Sequence, residues 1–274
     1  MEIHSHTFPQ SNDVFNFEPK IDIYIESGSY ILKTAKSYDE LLESCILRHE
    51  VFYQEFQGVE EAGVDMDQFD HHFDHLIIIH RETNKIIGTY RINSSEFSNM
   101  SYTAQEFDLA EVFKLKGPHI ELGRACIQKD HRKGASVIFL LWRGIIEYMT
   151  VADANVLYGC SSIKINNPAE AALVYKYLQE QGSVMDEKFS SPTKEFSMPE
   201  FENRLACLKD GLGHEQSEVA GKLIPSLLKS YIKFGAKIAS EPAFDVEFDC
   251  IDVLTVLKKE DIADSITRRF QVVQ

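Results

Sequence analysis

The sequence predicts an α/β (α+β) fold: a mixed central sheet flanked by helices, with a C-terminal elaboration of helices and strand. Three observations carry this. Strand-like and helix-like runs follow the order β-α-β-β-β-α-β-α over the first 182 residues, a layered α/β pattern. One helical run, 136–152, is apolar on nearly every side and therefore belongs at the centre of its layer. The chain has 274 residues, 44% apolar and 26% charged, which is enough to bury a core without disulfides or metals.

Residues 1–27 are polar with two prolines and read as an extended or partly disordered lead-in. The remainder, 28–274, reads as a single domain with a core at 28–198 and an elaboration at 199–274. A short strand is expected over 29–35. Ser37 and Glu40 then make a capping box, and Leu41, Leu42, Cys45, Ile46, His49, Phe52 and Phe56 follow at helical spacing. An acidic loop covers 58–74. Strands at 76–79 and 86–92 flank a hairpin turn at 81–85, and another strand covers 119–127. After the apolar helix comes a strand at 156–163, then a helix to 181 that starts with Pro168 at its first position. Helices at 199–212 and 221–234, a strand near 246–257 and a charged terminal helix complete the chain.

With 28 Lys+Arg against 43 Asp+Glu, the net charge of -15 opposes general binding of nucleic acid, which needs cations against phosphates. No apolar run reaches the ~18 residues of a membrane span. The N-terminus has no apolar signal core. Five cysteines, the closest pair being Cys126 and Cys160, show no zinc or redox spacing and read as buried free thiols. A cytoplasmic protein is expected, with peripheral contact at the inner membrane face left open.

The buried helix is entered through His131-Arg132-Lys133-Gly134-Ala135-Ser136. This resembles the GNAT acyltransferase loop, usually written Gln/Arg-x-x-Gly-x-Gly/Ala, in which backbone N–H groups at a helix N-terminus hold phosphate oxygens of an acyl carrier. The Gly is kept, with His at the first position and Ser at the last. The run from Asn167 to Tyr175 resembles the superfamily's later helix, where an Asn and a Tyr lie near the departing thiol. Arg48-x-x-x-Phe52, Asp67-x-x-Asp70, Arg91 after Gly88-Thr89-Tyr90, and Glu121-x-x-Arg124 are similar in order and interval to acyl-homoserine-lactone synthases and N-acyl amino acid synthases. The runs Ile224–Tyr231, Gly235-Ala236-Lys237 and Glu241-Pro242-Ala243-Phe244-Asp245 look like the ornithine N-acyltransferase branch, whose members often carry a hemolysin label.

The resemblance implies transfer of a long fatty acyl group, with or without a 3-hydroxyl, from acyl carrier protein to an amino acid such as ornithine. The co-substrate would be a phosphopantetheine thioester, or acyl-CoA, with no cofactor bound permanently. Such a reaction needs a carboxylate to take the amine proton. Glu121 is the candidate base, against a solvent-facing strand Glu or a structural partner of Arg124. Tyr175 is the second candidate catalytic residue. Regular pleating points Glu121 and Arg124 to opposite faces, and a bulge near Gly123 would bring them together.

Arg48 and Arg91 suit a substrate carboxylate bidentately, or else pair with Asp67 and Asp70 and lock the acidic loop. Phe52 and Arg124 complete the substrate-binding set, and the two aspartates also suit a cationic amine. Arg132, Lys133, Gly134, Ala135, Ser136 and Asn167 are the candidates for the carrier's phosphopantetheine, and the basic Arg132 and Lys133 favour docking of an acidic carrier. The stretch 65–75 holds three His and four Asp, but strand geometry spreads them, so it reads as an ion-paired loop and no metal is expected. Direct attack in a ternary complex is favoured, because no Cys or Ser stands beside a plausible His base. The helices 137–149 and 223–234 read as core or as walls of an acyl tunnel. The alternatives are a lactone-type synthase using S-adenosylmethionine and a lipid-binding or membrane-lytic protein.

Overall fold

The structure is a computed structural model describing residues 17–133, 136–185 and 189–262. The chain separates into two compact units, one of residues up to 100 with 122–154, the other of 101–121 with 155 onward.

The first unit carries β1 (Tyr24–Ser27), β2 (Tyr30–Thr34), β3 (Asp74–His80), β4 (Lys85–Ser94) and, from residue 122, β5 (His119–Ile127), in that spatial order. The antiparallel pairs β1–β2, β2–β3 and β3–β4 follow consecutively, the last being the expected hairpin, closed by Asn84 at φ 52. β1 falls inside the expected lead-in. Ile21 and Ile23 before it and Ile25 within it are all buried and repeat every second residue, a short strand signal interleaved with Asp22 and Tyr24.

Helix α1 (Tyr38–His49) starts as expected: the Ser37 hydroxyl accepts the Glu40 N–H at 3.2 Å. Its apolar stripe, Leu41, Cys45 and Leu47, packs with Ile77, Ile86 and Cys126 on one face of the sheet. Each such side chain buried contributes about 1.5–3 kcal/mol. The helix then widens into a π-helix, Glu50–Glu55, a form concentrated at functional sites. The apolar helix α2 (Ser136–Val151) is as expected. A Cβ at its Gly144 would meet Leu32 of β2 at 2.6 Å, and its Tyr148 hydroxyl donates to Asp74 at 2.9 Å. Asp74 also accepts the N–H groups of Lys20 and Ile21, so one carboxylate ties the chain before β1 to the sheet.

The second unit is built on β6 (Val156–Ile163) and β9 (Cys250–Lys258), antiparallel over the whole of β6. Residues 119–121 of β5 run parallel to 156–158 of β6, so this sheet is mixed, as expected. Short strands β7 (Lys237–Ile238) and β8 (Ala243–Asp245) pair with β9. Helix α3 (Pro168–Glu180) is capped by Asn167 and buries Ala171, Ala172, Val174 and Leu178 against Ile163, Ile251 and Val253.

The elaboration differs in detail from the reading of the sequence. It holds three helices, α4 (Phe201–Ala206), α5 (His214–Leu223) and α6 (Ser226–Phe234). Pro225 separates the last two, because its missing N–H ends the first and suits the cap of the second. The charged terminal helix is a short 3-10 turn, Lys259–Asp261, within the described residues; positions after 262 lie outside them.

Candidate active site

In the first unit the acidic loop closes on three arginines. Arg48, in the last turn of α1 and fully buried, donates from Nε to Asp65 at 2.6 Å and from Nη1 and Nη2 to Asp70 at 2.6 and 3.0 Å. Arg91, on β4, donates to Asp67 at 2.6 Å and Asp70 at 3.2 Å, its guanidinium 5.5 Å from the Phe69 ring centroid. Arg124 lies 3.4 Å from Asp65 and 3.7 Å from Asp67. Burial alone would raise the Asp70 carboxyl, but Arg48 and Arg91 hold it well below the usual carboxylate range. Asp65 is lowered likewise: Arg124 and Arg48 outweigh its burial. His75 is fully buried, with Nε2 3.1 Å from the Asp70 carbonyl, and burial drives its pKa down to about 4.

Three positive and three negative groups balance in this cluster, the arrangement that makes buried charge tolerable. Arg48 and Arg91 pair with loop aspartates, the second of the two arrangements considered for them. Phe52 sits on the π-helix, partly buried against the α1 core. Asp65 and His75 were both visible in the acidic stretch, yet their partnership with Arg48 and Asp70 is a tertiary contact that spacing does not disclose.

β5 departs from regular pleating at Arg124, whose φ of 50 is left-handed, one residue beyond the Gly123 where a bulge was expected. At the loop before α2, Arg132 is engaged: Nε donates to the Ile127 carbonyl at 2.7 Å, Nη2 to Glu55 at 2.7 Å, and its guanidinium lies over Phe56. The hydrogen bond from Arg132 lowers the pKa of Glu55. Lys133 and Ser136 are exposed, while Gly134 and Ala135 lie outside the described residues.

In the second unit Glu121 is buried, and its Oε1 accepts the N–H and the hydroxyl of Thr103, both at 2.6 Å. Tyr158, opposite Glu121 in the β5–β6 register, has its hydroxyl 3.4 Å from Ser101. Its pKa is raised by burial and then by the charge of Glu121, which keeps it protonated. Neither Thr103 nor Tyr158 carried a signal in the sequence: one lies in a polar connection, the other in a strand where aromatics are ordinary.

Asn167 spends its side chain as the cap of α3, accepting the Glu170 N–H at 2.9 Å and donating to Glu170 Oε2 at 2.8 Å. Tyr175, on α3, packs edge-on against Phe201 with ring centroids 5.5 Å apart; burial, then the charge of Glu241, pushes its hydroxyl up to about 12. Phe201 and Glu241 line a cavity of about 290 Å³, together with Met198, Pro242 and Glu200.

Among the described residues, Asp245, Cys250 and Asp252 bring three metal-ligand atoms, two carboxylate oxygens and a sulfur, within 4.8 Å of one another. In the stretch 65–75, Asp65, Asp67 and Asp70 go to arginines, and Asp74 to backbone N–H groups and the Tyr148 hydroxyl. No helix of the described residues is long and apolar enough to cross a membrane.

Residues 47–143 match the acetyltransferase (GNAT) domain family. With the mixed sheet, this match fits the GNAT-like acyltransferase fold expected from the sequence. Four curated relatives, all named L-ornithine N(alpha)-acyltransferase, narrow the resemblance to the branch expected from the C-terminal motifs. That of Brucella abortus is 28% identical over 256 residues, covering 86% of this chain and 86% of the relative. That of Agrobacterium fabrum is 26% identical over 282 residues, covering 96% and 94%. Among solved structures, FeeM, an N-acyl amino acid synthase from uncultured soil microbes, aligns with a TM-score of 0.47 at 9% identity over 85% of this chain and 93% of its own.

Proposed function

We propose that the enzyme transfers a long-chain fatty acyl group from acyl carrier protein to the α-amine of ornithine or a closely similar amino acid, giving an N-acyl amino acid that serves as a lyso-aminolipid. The observation that carries this reading is the buried Glu121 carboxylate, fixed by Thr103 beside Tyr158, in a chain similar along most of its length to ornithine acyltransferases.

Glu121 takes a proton from the ammonium as the amine attacks the thioester carbonyl. The carbon–sulfur bond then breaks and the carrier thiolate leaves, taking up a proton. Arg124, the least buried guanidinium of the cluster at 15% exposure, is the one suited to the acceptor's carboxylate. Arg48, Arg91, Asp67 and Asp70 form the ion-paired cluster beside which Arg124 lies, with Phe52 packed on the α1 core. Lys129 and Lys133, both exposed beside the α2 entry, offer positive charge to an acidic carrier in a chain of net charge -15.

The test is release of free thiol from acyl- and 3-hydroxyacyl-carrier protein against a panel of amino acids, with product masses recorded. A new acyl–ornithine mass, reduced about 10²–10⁴-fold in Glu121→Gln, is the expected result. No thiol release with any amino acid would sink the reading.

A further inference from the structure

We propose that Thr103 is a positioning residue for this reaction, holding the Glu121 carboxylate in one orientation and setting the pH at which it acts as base. The inference rests on the proposed role of Glu121. Thr103 sits in a single 3-10 turn, Thr103–Gln105, and is 1% exposed. Its N–H and its hydroxyl converge on the same oxygen, Glu121 Oε1, both at 2.6 Å. Two short donors on one carboxylate oxygen favour the ionised form and fix the plane of the group. A carboxylate on a strand has free rotation at its last torsion unless something holds it. Here a turn eighteen residues earlier does so.

The ionisable groups around Glu121 come from four elements. Tyr158 and Cys160 on β6 are both pushed up, by burial first and then by neighbouring carboxylates, and stay neutral across the working range. Glu106, just past the 3-10 turn, and Asp252 on β9 face Cys160. His119, two residues before Glu121 on β5, has its pKa lowered by burial. His119 therefore titrates on the acid side as well and has to be separated from Glu121 by its own variant.

Thr103→Val keeps the backbone donor and the branched shape but removes the hydroxyl donor. Losing a donor to the carboxylate raises the pKa of Glu121, so the acid limb of the kcat/KM profile moves to higher pH, by about one to two units. Thr103→Ser restores the hydroxyl and returns the limb to its original position. His119→Gln leaves the limb that moves in place. In Thr103→Val the kcat falls about tenfold, with KM for the carrier-bound donor unchanged, while thermal unfolding reports on the fold. A Thr103→Val profile that superimposes on the parent, or an equal shift in Thr103→Ser, overturns the inference. Full activity in Glu121→Gln would instead remove the base role itself. Loss in Glu121→Gln with an unmoved Thr103→Val profile would leave that role standing and discard only Thr103.

Discussion

Arg48, Arg91 and Arg124 share three aspartates, yet their settings differ enough to assign them different work. Asp70 serves two guanidiniums while itself fully buried, so Asp70→Asn strands both. That change should cost about 3–5 kcal/mol of stability in urea unfolding. Arg124 lies at longer range from its aspartates and is partly exposed. Arg124→Gln should lower the urea midpoint less than Asp70→Asn does and raise KM for the amino acid at least tenfold; an unaltered KM would return Arg124 to the lock. His75 adds a pH dependence. In the unfolded chain it takes a proton near pH 6.5, in the folded chain only near pH 4. Between these values the unfolded state binds more protons, so stability falls as pH drops from 6.5 to 4. Urea midpoints at pH 7 and 4.5 should differ less in His75→Gln than in the parent, and an equal difference would refute this source. The charged residues of the lock were legible because they stand in one acid-rich stretch and at helix and strand positions of known spacing. Thr103 was not, since a threonine in a polar connection looks the same whether or not it touches a carboxylate.

At the scale of elements, the strands β3 to β6 and helices α1 to α3 were readable because each has an apolar period and a local stop signal. The π-helix after α1 was not, because Phe52 and Phe56 continue a helical spacing and the widening by one residue leaves no mark in apolar order. α5 was missed because Gly211 and Gly213 immediately before it read as a break. β7 and β8, two and three residues long, are held by tertiary pairing, with β9 and through bridges from Ile238 to Val184 and from Ala243 to Ser197. The motif Gly235-Ala236-Lys237 acquires a physical reason. Gly235 ends α6 at φ 107, and a Cβ there would lie 2.2 Å from the Asp261 carbonyl oxygen. Gly235→Ala should destabilise the second unit by about 1–3 kcal/mol, measured by thermal unfolding, through a conformation that only glycine adopts easily. A stability equal to the parent's would show that the helix end relaxes elsewhere.

For the whole molecule, charge sets how a partner is met. With a net charge of -15, the acidic acyl carrier proposed as donor would be repelled at long range and would have to find Lys129 and Lys133 locally. Reversing both, Lys129→Glu with Lys133→Glu, should raise KM for carrier-bound acyl groups about tenfold or more. It should leave KM for ornithine as it was, and steady-state kinetics with each substrate varied in turn would check both. An equal rise for both substrates would point to a disturbed α2 entry instead.

The five cysteines lead to a practical end. Cys45, Cys126 and Cys250 are buried, Cys160 is largely covered, and all four have their thiols pushed up first by burial, which suppresses the reactive thiolate. Cys207 alone is exposed, at the C-terminal end of α4, the helix whose Phe201 lines the cavity. The protein thus carries one natural handle for a maleimide dye, and a fluorophore attached there would report events at that helix in the unaltered sequence.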